Sequence, residues 1–424
     1  MIDFDIESFV RKYMTKRPES LLAADFAKCA DEMHRRIDGK RMLVIGGAGT
    51  IGSNYVKAAL REFKPSAMFV VDIDENSLTE LTRELRAGDG YNVPDEYITE
   101  PIDLGSDLFN RFFKAHGPFD IVANFAARKH VRAERDVFSI EAMCETNVFM
   151  AKKLLDLLLD NPPEAFFCVS TDKAANPVNV MGATKKLMEE TIMAYSDRLP
   201  IKTARFANVA FSNGSLPIGW LNRIAKRQPL SCPLGIRRFF VSPIESGELC
   251  LFASVMAESG DIVYPKLNPE KDMIPFDAVV KDMLNDMGLG CRACASTEEA
   301  KTAMRDFSRV DRVEGEGIDS RVERVEISTR GYPCEFFGSD TSGEKTFEEF
   351  YTDTDVKDEV TFINLGAVKN SKKRPIEEVE AIFTNLRGVF AKQGSTKADV
   401  VSTLKDYLPN FQHIEKGKGL DSRM

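Results

Sequence analysis

No apolar run in the chain approaches the ~20 residues that a membrane-spanning helix needs, so no membrane partner is expected. The N-terminus, MIDFDIESFVRK, has neither the basic nor the apolar stretch of a signal peptide and carries acids early. Basic excess is also missing. The formal net charge is −9, which makes neither nucleic acid nor an anionic membrane surface an expected partner. The eight cysteines are scattered, and a chain this long needs no disulfide staples, so a reducing cytoplasm is the expected compartment. Cys291 and Cys294 form the one close pair. Without a second pair or nearby histidines they read as ordinary thiols. Internal repeats and low-complexity tracts are absent as well.

What is present is a long, well-mixed globular chain. Its 424 residues exceed one ordinary core and predict a large domain with additions. Residues 1–40 read as a helical extension, with Leu21, Leu22, Phe26, Cys29 and Met33 at helical spacing and Gly39 as the stop. From residue 41 short apolar segments alternate with amphipathic ones. RMLVIGG, AMFVVDID, EYITEPIDL, DIVANFA, AFFCVS and KTARFANV predict strands, and helices are predicted between them. This alternation predicts an α/β fold with a doubly wound parallel sheet over 41–265. Beyond residue 265 the rhythm breaks. Residues 266–424 are expected to hold a substrate-binding return segment, a charged insertion at 305–330 ending in a strand, and a helical tail from Pro375.

VIGGAGTIG places Gly46, Gly49 and Gly52 between a strand and a helix. Glycines there permit a tight turn and let amides at the helix N-terminus face a pyrophosphate. Asp72 ends the second strand, where a carboxylate accepts hydrogen bonds from an adenosine ribose and repels a 2′-phosphate. The cofactor predicted is therefore NAD rather than NADP. Asp103, after the third strand, is either an adenine contact or a helix-capping aspartate.

With these residues in view, the chain resembles the extended short-chain dehydrogenase/reductases, and within them the polysaccharide-biosynthesis branch of nucleotide-sugar 4,6-dehydratases. The matching stretches are GGAGTIGS, DIDENSL, NFAARKHV, STDKAANPVNVMGATKKLMEE, RFANVAFSNGSL, RRFFVSPIES and SGEKTFEEF. Met181 stands where most short-chain dehydrogenases carry a catalytic tyrosine, four residues before Lys185, and this branch can carry methionine there. The chain departs from many relatives at Arg132, where they have proline, and residues 266–334 match no pattern of the family.

The resemblance implies an internal redox elimination: oxidation at sugar C4, loss of the C5 proton and the C6 hydroxyl as water, and return of the hydride to C6. Three groups are then needed, a base at O4, a base at C5 and an acid at O6. Thr171 is assigned to relay the O4 proton, Lys173 to take the C5 proton, and Asp172 to protonate O6. Lys185 would bind the nicotinamide ribose, and Met181, which cannot exchange protons, would pack or position. Thr50, Ile51, Ala126 and Ala127 would join the glycines around the cofactor. Lys129 and His130 would face the cleft. Asn208, Ser212 and Arg238 would hold the nucleotide and diphosphate, with Arg237 as the alternative to Arg238, and Glu344 and Lys345 would close over that end. Asn147 is either structural or orients the catalytic strand. The substrate implied is UDP-N-acetylglucosamine. A 4-epimerase and a non-catalytic nucleotide-binding protein are the competing readings, and assembly into a homo-oligomer is implied.

Overall fold

The alternation of apolar and amphipathic segments becomes, in a computed structural model of the chain, a large twisted sheet flanked by helices. The structure describes residues 4–131, 134–313, 331–338, 343, 345 and 347–415. The first six strands are β1 (Arg41–Ile45), β2 (Ala67–Asp72), β3 (Glu96–Pro101), β4 (Ile121–Asn124), β5 (Ala165–Val169) and β6 (Ile201–Ala204). Shorter strands follow: β7 (Asn208–Val209), β8 (Leu230–Leu234), β9 (Arg237–Val241), β10 (Ile262–Pro265), β11 (Met273–Pro275) and β12 (Cys291–Cys294). The last are β13 (Tyr332–Gly338), β14 (Lys357–Asp358) and β15 (Leu365–Val368).

The main sheet runs β14-β15-β10-β6-β5-β4-β1-β2-β3. It is parallel from β3 to β10, and β15 joins antiparallel on β10. The strand order reverses between β1 and β4. In a doubly wound sheet that reversal opens a crevice at the carboxyl ends of the strands. β1, β2, β4 and β5 are buried on both faces, which is why they read as continuous apolar runs.

Two smaller three-stranded sheets, β11-β9-β7 and β12-β13-β8, contribute Arg238 and Ser231 respectively to the lining of a cavity described below. Around them a second apolar core gathers Phe9 and Met14 from the N-terminus with Trp220, Leu230, Met283 and Tyr332. Cys291 and Cys294, three apart on β12, point to opposite faces of their sheet. The C-terminal helices Ile376–Ala391 and Lys397–Tyr407 lie against the main body, where Phe383 meets Phe149 with ring centroids 4.6 Å apart and Glu380 pairs with Lys152 at 2.6 Å. Among the described residues no helix is long and apolar enough to cross a membrane.

Three local expectations are refined. KTARFANV is two strands rather than one. Arg205 turns its guanidinium onto Glu189 with bonds of 2.8 and 2.7 Å, and the chain then leaves the main sheet for β7. The helix expected around EAMCETNVF begins earlier, at Val137, and contains a π-helical stretch at Glu145–Phe149. Asn147 lies in that stretch, a frequent location for function-related side chains. The helix Thr297–Val313 overlaps the start of the expected charged insertion, residues 314–330 of which lie outside the described residues, and β13 comes after it.

Candidate active site

The glycine turn follows directly from β1. Gly46 has φ +70°, and a Cβ there would lie 2.5 Å from the Ala126 backbone nitrogen, so both conformation and space require glycine. Gly49 precedes the helix Thr50–Glu62, whose N-terminus opens onto a cavity of about 350 Å³. Gly46, Gly49, Thr50, Ile51 and Gly52 line that cavity on one side; Ala127, Lys129, Thr171, Met181 and Lys185 face them. Asp72 lies beside the turn rather than in the cavity, its Oδ2 accepting from the Ala48 amide at 2.9 Å. Asp103 closes a local turn, accepting from the Gly105 amide at 2.8 Å before the helix Asp107–His116. Ala126 is held by Asn124 Oδ1 at 3.1 Å.

The stretch Thr171-Asp172-Lys173 continues β5 and begins a single 3₁₀ turn. Three donors converge on Asp172 Oδ1: the Thr171 hydroxyl at 2.8 Å, the Lys173 amide at 2.9 Å and Lys173 Nζ at 2.9 Å. Lys173 Nζ also reaches Asn208 Oδ1 at 3.4 Å. The helix Val180–Met193 packs on this turn so closely that a Cβ on Gly182 would stand 2.5 Å from the Lys173 carbonyl. Every residue of that helix except Lys186 is buried. Lys185 Nζ donates to the Val169 carbonyl at 3.0 Å, and burial lowers its pKa. Asn147 Oδ1 accepts from the Arg128 amide at 2.8 Å, while its Nδ2 donates to Thr184 Oγ1 at 3.0 Å. It thus clamps the loop after β4 to the helix Val180–Met193.

A second cavity, about 380 Å³, adjoins the first and shares His130, Lys173, Gly214, Ser215, Leu216 and Phe276 with it. Arg238 is 6% exposed and lines this second space, donating to the Lys345 carbonyl at 3.0 Å. Arg237 points away and donates to the Met273 carbonyl at 3.2 Å. Alternation along β9 separates two arginines that adjacency had left equivalent. Ser212 and Asn208 line the first cavity, and the His130 ring packs over Gly214. Lys129 has a solvent-open side chain yet is hemmed by the cleft wall, and desolvation lowers its pKa. Lys345 Nζ donates to the Asn176 carbonyl at 2.7 Å and lines neither cavity. Glu344 lies outside the described residues.

The lining therefore fits a dinucleotide: a glycine cradle at a helix N-terminus, then a lysine and an apolar methionine deeper in the cleft. Several residues of the two cavities escaped the sequence reading, two polar ones among them. Glu348 and Asn179 line the second cavity. Glu348 lies in the same SGEKTFEEF stretch as Lys345, three residues further on, but nothing in its local pattern distinguishes it from Glu349. Asn179 caps the helix Val180–Met193 through the Gly182 amide at 2.7 Å and ties it to the Gly343 carbonyl at 2.8 Å.

An uncharacterized membrane protein of Methanocaldococcus jannaschii is 36% identical over 256 residues, covering 59% of this chain and 73% of that one. A UDP-N-acetylglucosamine 4,6-dehydratase (inverting) of Campylobacter jejuni is 26% identical over 238 residues, 54% of this chain and 68% of the relative. A UDP-glucose 4-epimerase of Rickettsia conorii is 34% identical over 291 residues, 64% of this chain and 82% of the epimerase. The chain spans only 38% of the length of polysaccharide-biosynthesis relatives from Bacillus subtilis and Staphylococcus aureus. In fold it is similar to Pen from Bacillus thuringiensis, with a TM-score of 0.59 at 21% identity over 82% of this chain and 98% of that one. The family profile described as polysaccharide biosynthesis protein matches residues 42–303. The chain therefore belongs to the polysaccharide biosynthesis protein family of extended short-chain dehydrogenase/reductases.

Proposed function

We propose that the protein is an NAD-dependent 4,6-dehydratase of a nucleotide-activated sugar, with UDP-N-acetylglucosamine as the first substrate to test, producing a 4-keto-6-deoxy sugar nucleotide for glycan synthesis. The observation that carries this reading is the convergence of Thr171, Lys173, Met181 and Lys185 on one cleft. Gly46, Gly49, Thr50, Ile51 and Gly52 would hold the pyrophosphate, Asp72 the adenosine ribose and Lys185 the nicotinamide ribose. The chemistry supplied by bound NAD is reversible hydride exchange, and the cofactor ends the cycle as it began.

The Thr171 hydroxyl already donates to Asp172 Oδ1. It can accept the proton of a sugar hydroxyl while passing its own to the carboxylate, which supplies the O4 base without a tyrosine. Lys173 is the base at C5. Arg238 and His130 are the substrate-side contacts, and Met181 shapes the wall opposite the glycine turn.

Incubation with UDP-N-acetylglucosamine is expected to yield a product lighter by one water with no net NADH. In deuterated solvent, NMR of the product reads exchange and configuration at C5. A panel of nucleotide sugars with no dehydrated product overturns the reading. A second reading, 4-epimerisation, is favoured by the likeness to the Rickettsia epimerase. Unchanged product mass with inverted C4 would select it.

A further inference from the structure

The loop that joins the Asp172 turn to the helix Val180–Met193 is held from two sides. From one, Lys345 Nζ donates to the Asn176 carbonyl, and Asn176 Nδ2 donates to Glu349 at 3.0 Å. From the other comes the tail of the chain. The Gln412 and Ile414 amides donate to the Pro177 and Val178 carbonyls at 3.1 and 2.9 Å, and the Ile414 carbonyl accepts from the Gly343 amide at 2.9 Å. Gly343 in turn accepts from Asn179, the cap of the helix. A Cβ on Gly343, where φ is +71°, would stand 2.8 Å from Asn179 Cβ and 3.1 Å from Glu134 Oε1, so the segments meet without slack. Val131, Asn179 and Gly343 all line the second cavity. The tail itself lies beyond the family match, which ends at residue 303.

One contact at this junction is incomplete. Glu134 Oε2 accepts from the Val180 amide at 2.5 Å, in the first turn of the helix, but Oε1 accepts no hydrogen bond among the described residues. His413 Nε2 has no partner among them either, and it stands 3.7 Å from that oxygen. The His413 and Glu134 side chains are 8% and 5% exposed. Buried polar atoms left unpaired are costly, and a gap this short holds no water between them. An approach of about half an ångström brings the pair into hydrogen-bond range. A carboxylate oxygen can only accept, so the imidazole proton belongs on Nε2. The ring is already held by Phe411, which is buried, with centroids 5.8 Å apart.

We propose that residues 411–414 are a clasp on the substrate-side wall, in which His413 is a positioning residue acting through Glu134. Closing that contact fixes the N-terminus of the helix that carries Met181 and Lys185, together with Asn179 and Gly343 in the cavity wall. The effect on substrate rests on the reading of the second cavity as the nucleotide-sugar side of the cleft. Pro177, Val178, Gly343 and Glu134 do not line the glycine-turn cavity, so release of the clasp is expected to weaken nucleotide-sugar binding and spare NAD.

The test uses the full chain with NAD present, UDP-N-acetylglucosamine and UDP as calorimetric probes, and hydrogen exchange at the Val180 and Gly182 amides. His413→Leu is expected to raise the Kd of the sugar nucleotide and to speed exchange at both amides, each about tenfold. NAD affinity should stay within about threefold of the parent. His413→Gln, whose side-chain N–H can replace Nε2–H, should bind and exchange like the parent. Glu134→Ala should reproduce the loss, and adding His413→Leu to it should change nothing further. His413→Asn, too short to reach the carboxylate, replaces the leucine variant if that one does not fold. Binding and exchange unchanged in His413→Leu overturn the clasp. So do equal losses of NAD and sugar-nucleotide affinity, or additive effects in the double variant. A parent that binds neither probe overturns the reading of the cavity, and amide exchange then decides the clasp by itself.

Discussion

The two halves of the cleft are built in opposite ways. On the glycine-turn side, residues 45–52, 125–129 and 169–185 are short continuous stretches, each at the carboxyl end of a parallel strand. On the other side, Arg223, Ser231, Arg238 and Glu348 arrive from segments far apart in the chain, carried partly by two small sheets. Motifs concentrate where one backbone geometry must serve a fixed purpose, as at a glycine turn under a helix N-terminus. Side chains that meet only through tertiary packing leave no common local pattern. The first half is accordingly the one a local motif can mark, and the second is visible only in the folded chain.

Substitutions can separate the halves. The largest effect is expected for Lys173→Ala, which should cut turnover by about 10²–10⁴-fold. NAD should remain bound, as read by cofactor release on denaturation. Retained turnover would remove Lys173 from the chemistry. Next comes Arg205→Ala, which strands the Glu189 carboxylate, 1% exposed. Loss of one partner of a buried pair costs about 3–5 kcal/mol, and thermal or denaturant unfolding should show it. A smaller, half-specific effect is expected for Arg238→Ala. Loss of a charge-assisted contact worth about 1.5–3 kcal/mol should raise KM for the nucleotide sugar while leaving NAD affinity unchanged. A parallel fall in NAD affinity would join the halves that the comparison keeps apart.

The smallest effect is one of linkage. The Glu348 pKa is raised in the folded protein, chiefly by burial. Such a group contributes stability fully present below its unfolded pKa and lost as pH rises through the folded one. Unfolding free energy should therefore decline over that interval, and Glu348→Gln should flatten the decline. An identical slope in both proteins would mean Glu348 does not titrate there.

The doubly wound sheet was legible because period and burial coincide: strands buried on both faces, such as β1 and β5, are uninterrupted apolar runs. Gly46 and Met181 were legible for a related reason, since each sits at a fixed offset from a strand or helix end. The break of KTARFANV was not, because it depends on Arg205 finding Glu189. The choice between Arg237 and Arg238 was equally hidden. Both are arginines on one strand, and only the folded position of that strand says which side chain lines the second cavity.

By itself, then, the sequence determined the α/β class, the glycine turn and the grouping of Thr171, Asp172 and Lys173, all of which depend on neighbours close along the chain. Tertiary structure alone decided which side chains share the second cavity. Lys173 and Glu348 lie far apart in the chain and line that one space. Placement of that kind follows from packing and hydrogen bonding between distant segments, for which a local pattern has no signal.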